Sequence, residues 1–125
     1  MGSRELAFAL ATGRALYGTL LVVDPRRAVA PWMENVADDE RAQILARGLG
    51  VRDFALALGG LAALRSGEPA SIRAWFAAQA ISDAVDGVST AAAKGALKPG
   101  RAAFVAAIAM GSAAIGATAA TRLGR

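Results

Sequence analysis

From Ala102 to Thr121 the chain carries no charged side chain, and that one stretch limits the folds open to it. At about 1.5 Å per residue, roughly 20 helical residues cross a hydrocarbon core. A soluble helix of that length repeats polar residues down one face, whereas here the only polar side chains are small hydroxyls. Gly111, Ser112 and Gly116, set among many alanines, instead give the small-residue surface on which membrane helices pack closely. The same surface suits a contact between copies of the chain.

Three earlier segments have similar length, and Pro, Gly and charge punctuate them. Helices are predicted over 3–23, 39–64, 69–93 and 101–122. Asp24-Pro25 stops the first. Asp38, Asp39 and Glu40 crowd the start of the second, where carboxylates favour a helix N-terminus. Arg65-Ser66-Gly67 ends it, Pro69 fits the first turn of the third, and Pro99-Gly100 turns the chain into the fourth. The stretch 26–37, with Trp32 and Met33, suits a short segment lying at a membrane interface. Short loops after the second and third helices favour antiparallel neighbours. The expected fold is therefore all-α: one domain over 1–125, a four-helix up-down-up-down transmembrane bundle, multi-pass in the cell membrane with lipid as its first partner.

The alternative is a soluble bundle whose mid-helix charges face water. Its composition, 55% hydrophobic and 19% charged, leans the other way, since soluble domains sit nearer 45 to 50% and about 25%. Loop charge sets no firm orientation. Arg4, Arg65, Arg73, Arg122 and Arg125 stand at one end against Arg26, Arg27, Arg41, Lys94, Lys98 and Arg101 at the other. The apolar run after Arg4 has the look of a secretory signal, but Arg14 interrupts it and Pro31 would follow the small-residue cut. A mature helix is the expectation there.

The sequence holds neither cysteine nor histidine. Thiol nucleophiles, disulfides, Cys/His zinc sites, His-ligated haem and Ser-His-Asp catalysis are thereby excluded. Acid-base work falls to Asp, Glu, Lys, Arg or Tyr, and neither a metal nor a cofactor is expected. The formal charge of +4 lacks any basic run interleaved with aromatics, so lipid headgroups rather than nucleic acid are its expected counterpart.

Against this apolar background, ionisable side chains fall in mid-span in the first three helices. Arg14 lies midway along the first, Arg52 and Asp53 along the second, and Asp83 along the third. Gln79, Ser82, Asp83, Asp86, Ser89 and Thr90 follow three- and four-residue steps, one polar stripe that must look inward. Arg14 with Tyr17 gives the first helix a similar patch. Arg14, Arg47, Arg52, Asp53, Asp83 and Asp86 sum to zero charge, as a low-dielectric site requires. Depth alone predicts the partners: Arg52 or Arg14 beside Asp83, and Arg47 nearer Asp86.

Asp83-x-x-Asp86-Gly87 matches the opening of the metal-binding signature of CDP-alcohol phosphatidyltransferases. It departs at once. The Ala-Arg after the glycine and the second acidic motif are absent, and the chain is too short for six helices. A broader likeness covers nearly the whole chain: Gly13-Arg14, Asp24-Pro25, the run Ala46-Arg47-Gly48-Leu49-Gly50-Val51-Arg52-Asp53 leading to Leu58-Gly59-Gly60, and Asp83-Ala84-Val85-Asp86 before a closing apolar helix. In these it resembles a group of small uncharacterised four-helix membrane proteins of high-GC actinobacteria. That resemblance implies a fold and a site location, but no activity.

Mid-membrane charges commonly mark pathways or sites. The leading expectation is a membrane-embedded protein that binds or converts a small lipophilic molecule. Asp83 and Asp86 are the candidate acid-base pair, with Arg14, Tyr17, Arg47, Arg52, Asp53 and Gln79 as candidate binding residues. The rival is a structural or accessory subunit whose polar cluster only orders the helices.

Overall fold

The structure is a computed structural model that describes residues 1–93 and 95–125. The loop charge counted at Lys94 lies outside the described residues. Among these residues the chain is helical throughout, without strands: α1 (Ser3–Val23), α2 (Pro25–Met33), a 3-10 turn (Glu34–Asp38), α3 (Glu40–Ser66), α4 (Pro69–Ala92) and α5 (Pro99–Arg122). The expected interfacial stretch is thus a helix followed by a tight turn.

Local chemistry explains the boundaries. Pro25 disfavours helical backbone at Asp24. The Asp24 carboxylate then accepts from the Arg27 N–H at 3.1 Å and caps α2. Asp39 does the same for α3 through the Arg41 N–H at 2.8 Å. That helix ends where Gly67 turns left-handed at φ 71° and donates its N–H to the Ala63 carbonyl. Glu68 accepts from the Ala70 and Ser71 N–H groups, and Pro69 and Pro99 each begin a helix where a missing N–H does no harm.

The long helices pack as antiparallel neighbours, joined at glycines. Gly18 of α1 and Gly50 of α3 lie back to back, so that a Cβ built on Gly50 would sit 2.6 Å from the Gly18 carbonyl oxygen. Gly59 of α3 lies under the Trp75 ring of α4, and Gly116 of α5 meets the α4 backbone at Phe76. Only residues without a side chain let these backbones approach so closely.

Two apolar layers result. One joins Ala7, Ala11, Ala63, Phe76, Ala119 and their neighbours; the other joins Leu21, Ala28, Val29, Ala37 and Ala46 under α2. Between them sits a charged layer. Arg14, Asp53 and Asp83 are 9%, 8% and 6% exposed, while Leu16, Ile44, Val85 and Phe104 on the outer faces are 58% to 69% exposed. The chain buries charge and displays apolar side chains on all four long helices. Two of those helices, α1 and α5, are long and apolar enough to cross a membrane.

Candidate functional site

Arg14 is the hub of the charged layer. Its guanidinium donates to Asp53 Oδ1 at 2.9 Å and, through the other terminal nitrogen, to Asp83 Oδ2. One α1 side chain thereby ties α3 to α4. Arg52 is turned to the neighbouring pair, its two terminal nitrogens gripping Asp86 Oδ1 and Oδ2 at 3.2 and 2.6 Å. Its Nε and Nη2 also reach Asp53 Oδ1, at 3.3 and 3.1 Å. Fork-on-fork geometry of this kind fixes direction as well as distance.

The pairing therefore differs from a depth argument in one respect. Arg14 takes Asp83 as expected, but Asp86 belongs to Arg52 and not to Arg47. Arg47 is exposed, and its Nε donates to the Val22 carbonyl at 3.3 Å. At 3.6 residues per turn, Arg47 and Arg52 point roughly 140° apart around α3, so only one of them can face α4. The buried cluster consequently holds two arginines and three aspartates, not a neutral set of six.

Beside the cluster lies a cavity of about 760 Å³. It lies between α1 and α5, beyond the apolar layer in which Ala7 and Ala11 join Ala119 and Ala120. Asp53, Asp83 and Asp86 lie at its inner end, α2 covers it with Ala28, Pro31 and Trp32, and Phe104 and Ile108 form an exposed apolar rim. Apart from the charged end, its walls are largely apolar. That volume falls within the usual range of small-molecule sites, about 300 to 1,000 Å³.

Of the sequence candidates, Arg14, Tyr17, Asp53, Asp83 and Asp86 line the cavity. Gln79, Arg47 and Arg52 do not. Gln79 is fully buried between helices, donating to the Leu56 carbonyl at 3.0 Å. Tyr17 fastens the roof: its hydroxyl donates to the Ala28 carbonyl and accepts from Trp32 Nε1, each at 3.2 Å. Sequence reasoning missed Arg101, which counts there only as a loop charge. Here it lines the cavity, donates to the Pro31 carbonyl and lies 3.4 Å from Glu34, which Lys98 also meets at 2.9 Å. The Lys98 ammonium bonded to it, aided by the Arg101 charge, holds the Glu34 carboxyl below its ordinary range. A cation at the start of the last helix and an acid in the turn before α3, with two long helices between them in the chain, carry no local signal of this contact.

Comparisons with protein-family models, with curated proteins and with solved structures gave no match. The class of the protein rests on its own geometry: an all-helical chain with two possible membrane spans and a buried Arg/Asp salt-bridge cluster beside an apolar cavity.

Proposed function

We propose that the chain is a four-helix, up-down-up-down, multi-pass protein of the cell membrane that binds a small lipophilic molecule in the cleft between α1 and α5. The observation that carries this reading is the inverted distribution of polarity. A helix bundle in water would not leave Leu16, Ile44, Val85 and Phe104 exposed while burying Arg14, Asp53 and Asp83. In lipid the same arrangement is the expected one, with ionisable groups facing inward and paired. Arg52, Asp53, Asp83 and Asp86 of α3 and α4 are accommodated because they meet partners inside the bundle, whereas Arg47 is exposed and donates to the Val22 carbonyl.

An apolar cleft rimmed by Phe104 and Ile108 and ending on carboxylates suits an amphiphile entering sideways from the bilayer. If the site also performs chemistry, the geometry favours Asp83 over Asp86 as the proton-transfer group, because Arg52 holds both oxygens of Asp86. Asp83 gives only Oδ2 to Arg14. The rival reading, a subunit whose cluster only orders the helices, accounts for the Arg52–Asp86 fork but leaves the cavity without a purpose.

Two measurements test the proposal. The chain should remain with membranes through alkaline carbonate washing and be released only by detergent; a monodisperse, detergent-free soluble protein would overturn the membrane assignment. Decanol should then saturate a site reported by tryptophan emission in a Trp75→Phe protein, whose remaining tryptophan is Trp32 on the cavity wall. Gly13→Leu supplies the blocked control. Gly13 lines the cavity, and a Cβ there meets nothing within 4 Å, so a larger side chain has room to start into the space. Equal, unsaturable signals from both proteins would remove the cleft as a binding site.

A further inference from the structure

We propose that the molecule held in this cleft carries a cationic hydrogen-bond donor, a protonated amine on an apolar body, which docks on Asp83 and Asp53. This rests on the cleft's being a binding site, and it adds the chemical class of the occupant.

The inference follows from an inventory of what the wall has left to offer. Its donors are largely engaged. The Tyr17 hydroxyl proton goes to the Ala28 carbonyl, and the Trp32 N–H goes to Tyr17. Thr90 donates to the Asp86 carbonyl at 2.8 Å, and Arg101 is turned to the Pro31 carbonyl and Glu34. Arg14 Nε has no partner, but it is a buried atom. The free groups are acceptors. Asp83 Oδ1 and Asp53 Oδ2 accept no hydrogen bond among the described residues, and both side chains line the cavity although Asp83 is only 6% exposed.

Charge points the same way. Two arginines serve three carboxylates: Arg52 is shared between Asp86 and Asp53, and Arg14 between Asp53 and Asp83. The cluster therefore carries one uncompensated negative charge, and Asp53 and Asp83 both face the cavity, whose other lining cation, Arg101, is paired with Glu34. An isolated charge in a low-dielectric interior is strongly unfavourable, and it is relieved by a cation that both pairs with it and fills the oxygens' empty bonding positions. An ammonium group does both. A carboxylate or phosphate headgroup would add like charge and find the donors engaged. The Ser89 and Ser112 hydroxyls on the wall can serve either kind of head and do not alter the balance.

The test compares three probes with one tail and different heads: decylammonium, decanol and decanoate, each titrated at about pH 7 into the full Trp75→Phe chain in phosphatidylcholine nanodiscs. Trp32 emission is the readout, and Gly13→Leu discs define partitioning into lipid. Decylammonium should bind at least about tenfold more tightly than decanol, with decanoate weakest, as a charge-assisted hydrogen bond predicts. Asp83→Asn and Asp53→Asn should each bring decylammonium to the affinity of decanol while leaving decanol unchanged. Should either variant fail to fold, the three-probe comparison on the unsubstituted site still decides. Decanol binding as well as decylammonium, or decanoate binding better, would mean that a bound proton balances the pair, and the proposal falls while the cleft stands. No saturable binding of any probe would overturn both.

Discussion

Arg14→Met removes the one cation that two buried carboxylates share while keeping most of the side chain's length. Asp53 retains Arg52, whose Nε and Nη2 lie at 3.3 and 3.1 Å, but Asp83 is left with no partner at 6% exposure. Stranding one member of a buried ion pair costs about 3 to 5 kcal/mol. With the chain in a bilayer, as proposed above, insertion scales give a consistent figure for a mid-membrane carboxylate, about 2.5 to 3.5 kcal/mol. A loss of about 3 to 4 kcal/mol is therefore expected, a shift of more than a hundredfold in the folding equilibrium. Asp83→Asn alone should cost less, about 1 to 3 kcal/mol, because Arg14 keeps Asp53. In the double variant the asparagine needs no cation, so the two losses should fall short of adding by about 1 to 3 kcal/mol. Reversible unfolding in mixed dodecyl maltoside and SDS micelles, followed by circular dichroism, measures all three. Additivity within about 0.5 kcal/mol would refute the reasoning, since it would mean that Arg14 and Asp83 do not share a bond in the folded protein.

In the same titration Arg52→Met should lose about 1 to 2 kcal/mol with its half-exposed fork on Asp86, whereas Arg47→Met should stay within about 0.5 kcal/mol; equal losses would return Arg47 to the cluster. Gly50→Ala drives a methyl against the Gly18 carbonyl and Leu21, overpacking worth about 1 to 3 kcal/mol against a helix-propensity gain near 1. Gly48→Ala, which meets nothing within 4 Å, should instead stabilise by about 0.5 to 1 kcal/mol, and a loss there as large as at Gly50 would contradict the α1–α3 contact. Glu34 has a depressed pKa in the folded chain, so its hold on Lys98 and Arg101 is complete above its ordinary value near 4.5 and is lost as pH falls through the lower folded value. The roof over the cavity, followed by Trp32 emission in Trp75→Phe protein, should loosen below that ordinary value, and Glu34→Gln should remove the dependence. A transition above about pH 5 that survives in Glu34→Gln would assign the contact to another group.

Local rules made much of the chain legible. Asp24-Pro25, Asp39, Gly67 and Pro69 punctuate the helices because capping and proline geometry depend on a few adjacent residues, and the observed ends fall within two residues of the expected ones. That Arg14, Arg52, Asp53 and Asp83 share one level along the helices was equally readable, since height along a helix is residue number multiplied by a fixed rise. Rotation was not. Whether Arg47 or Arg52 faces α4 depends on how α3 turns about its axis. Gly18 against Gly50, and Gly59 and Gly60 against Trp75 and Gln79, decide that turn by allowing the helices to approach closely there. The cavity was still less accessible from sequence, because it arises where α1 and α5 fail to pack. Ala7 and Ala11 share an apolar layer with Ala119 and Ala120 across more than a hundred residues of chain, while further along the same helices the cavity opens, lined from α2 by Pro31 and Trp32. Periodicity says that a helix has an inner face. Only the assembled helices decide whether that face meets a neighbour or an open cavity, and so whether two arginines must serve three aspartates beside a space that a ligand can fill.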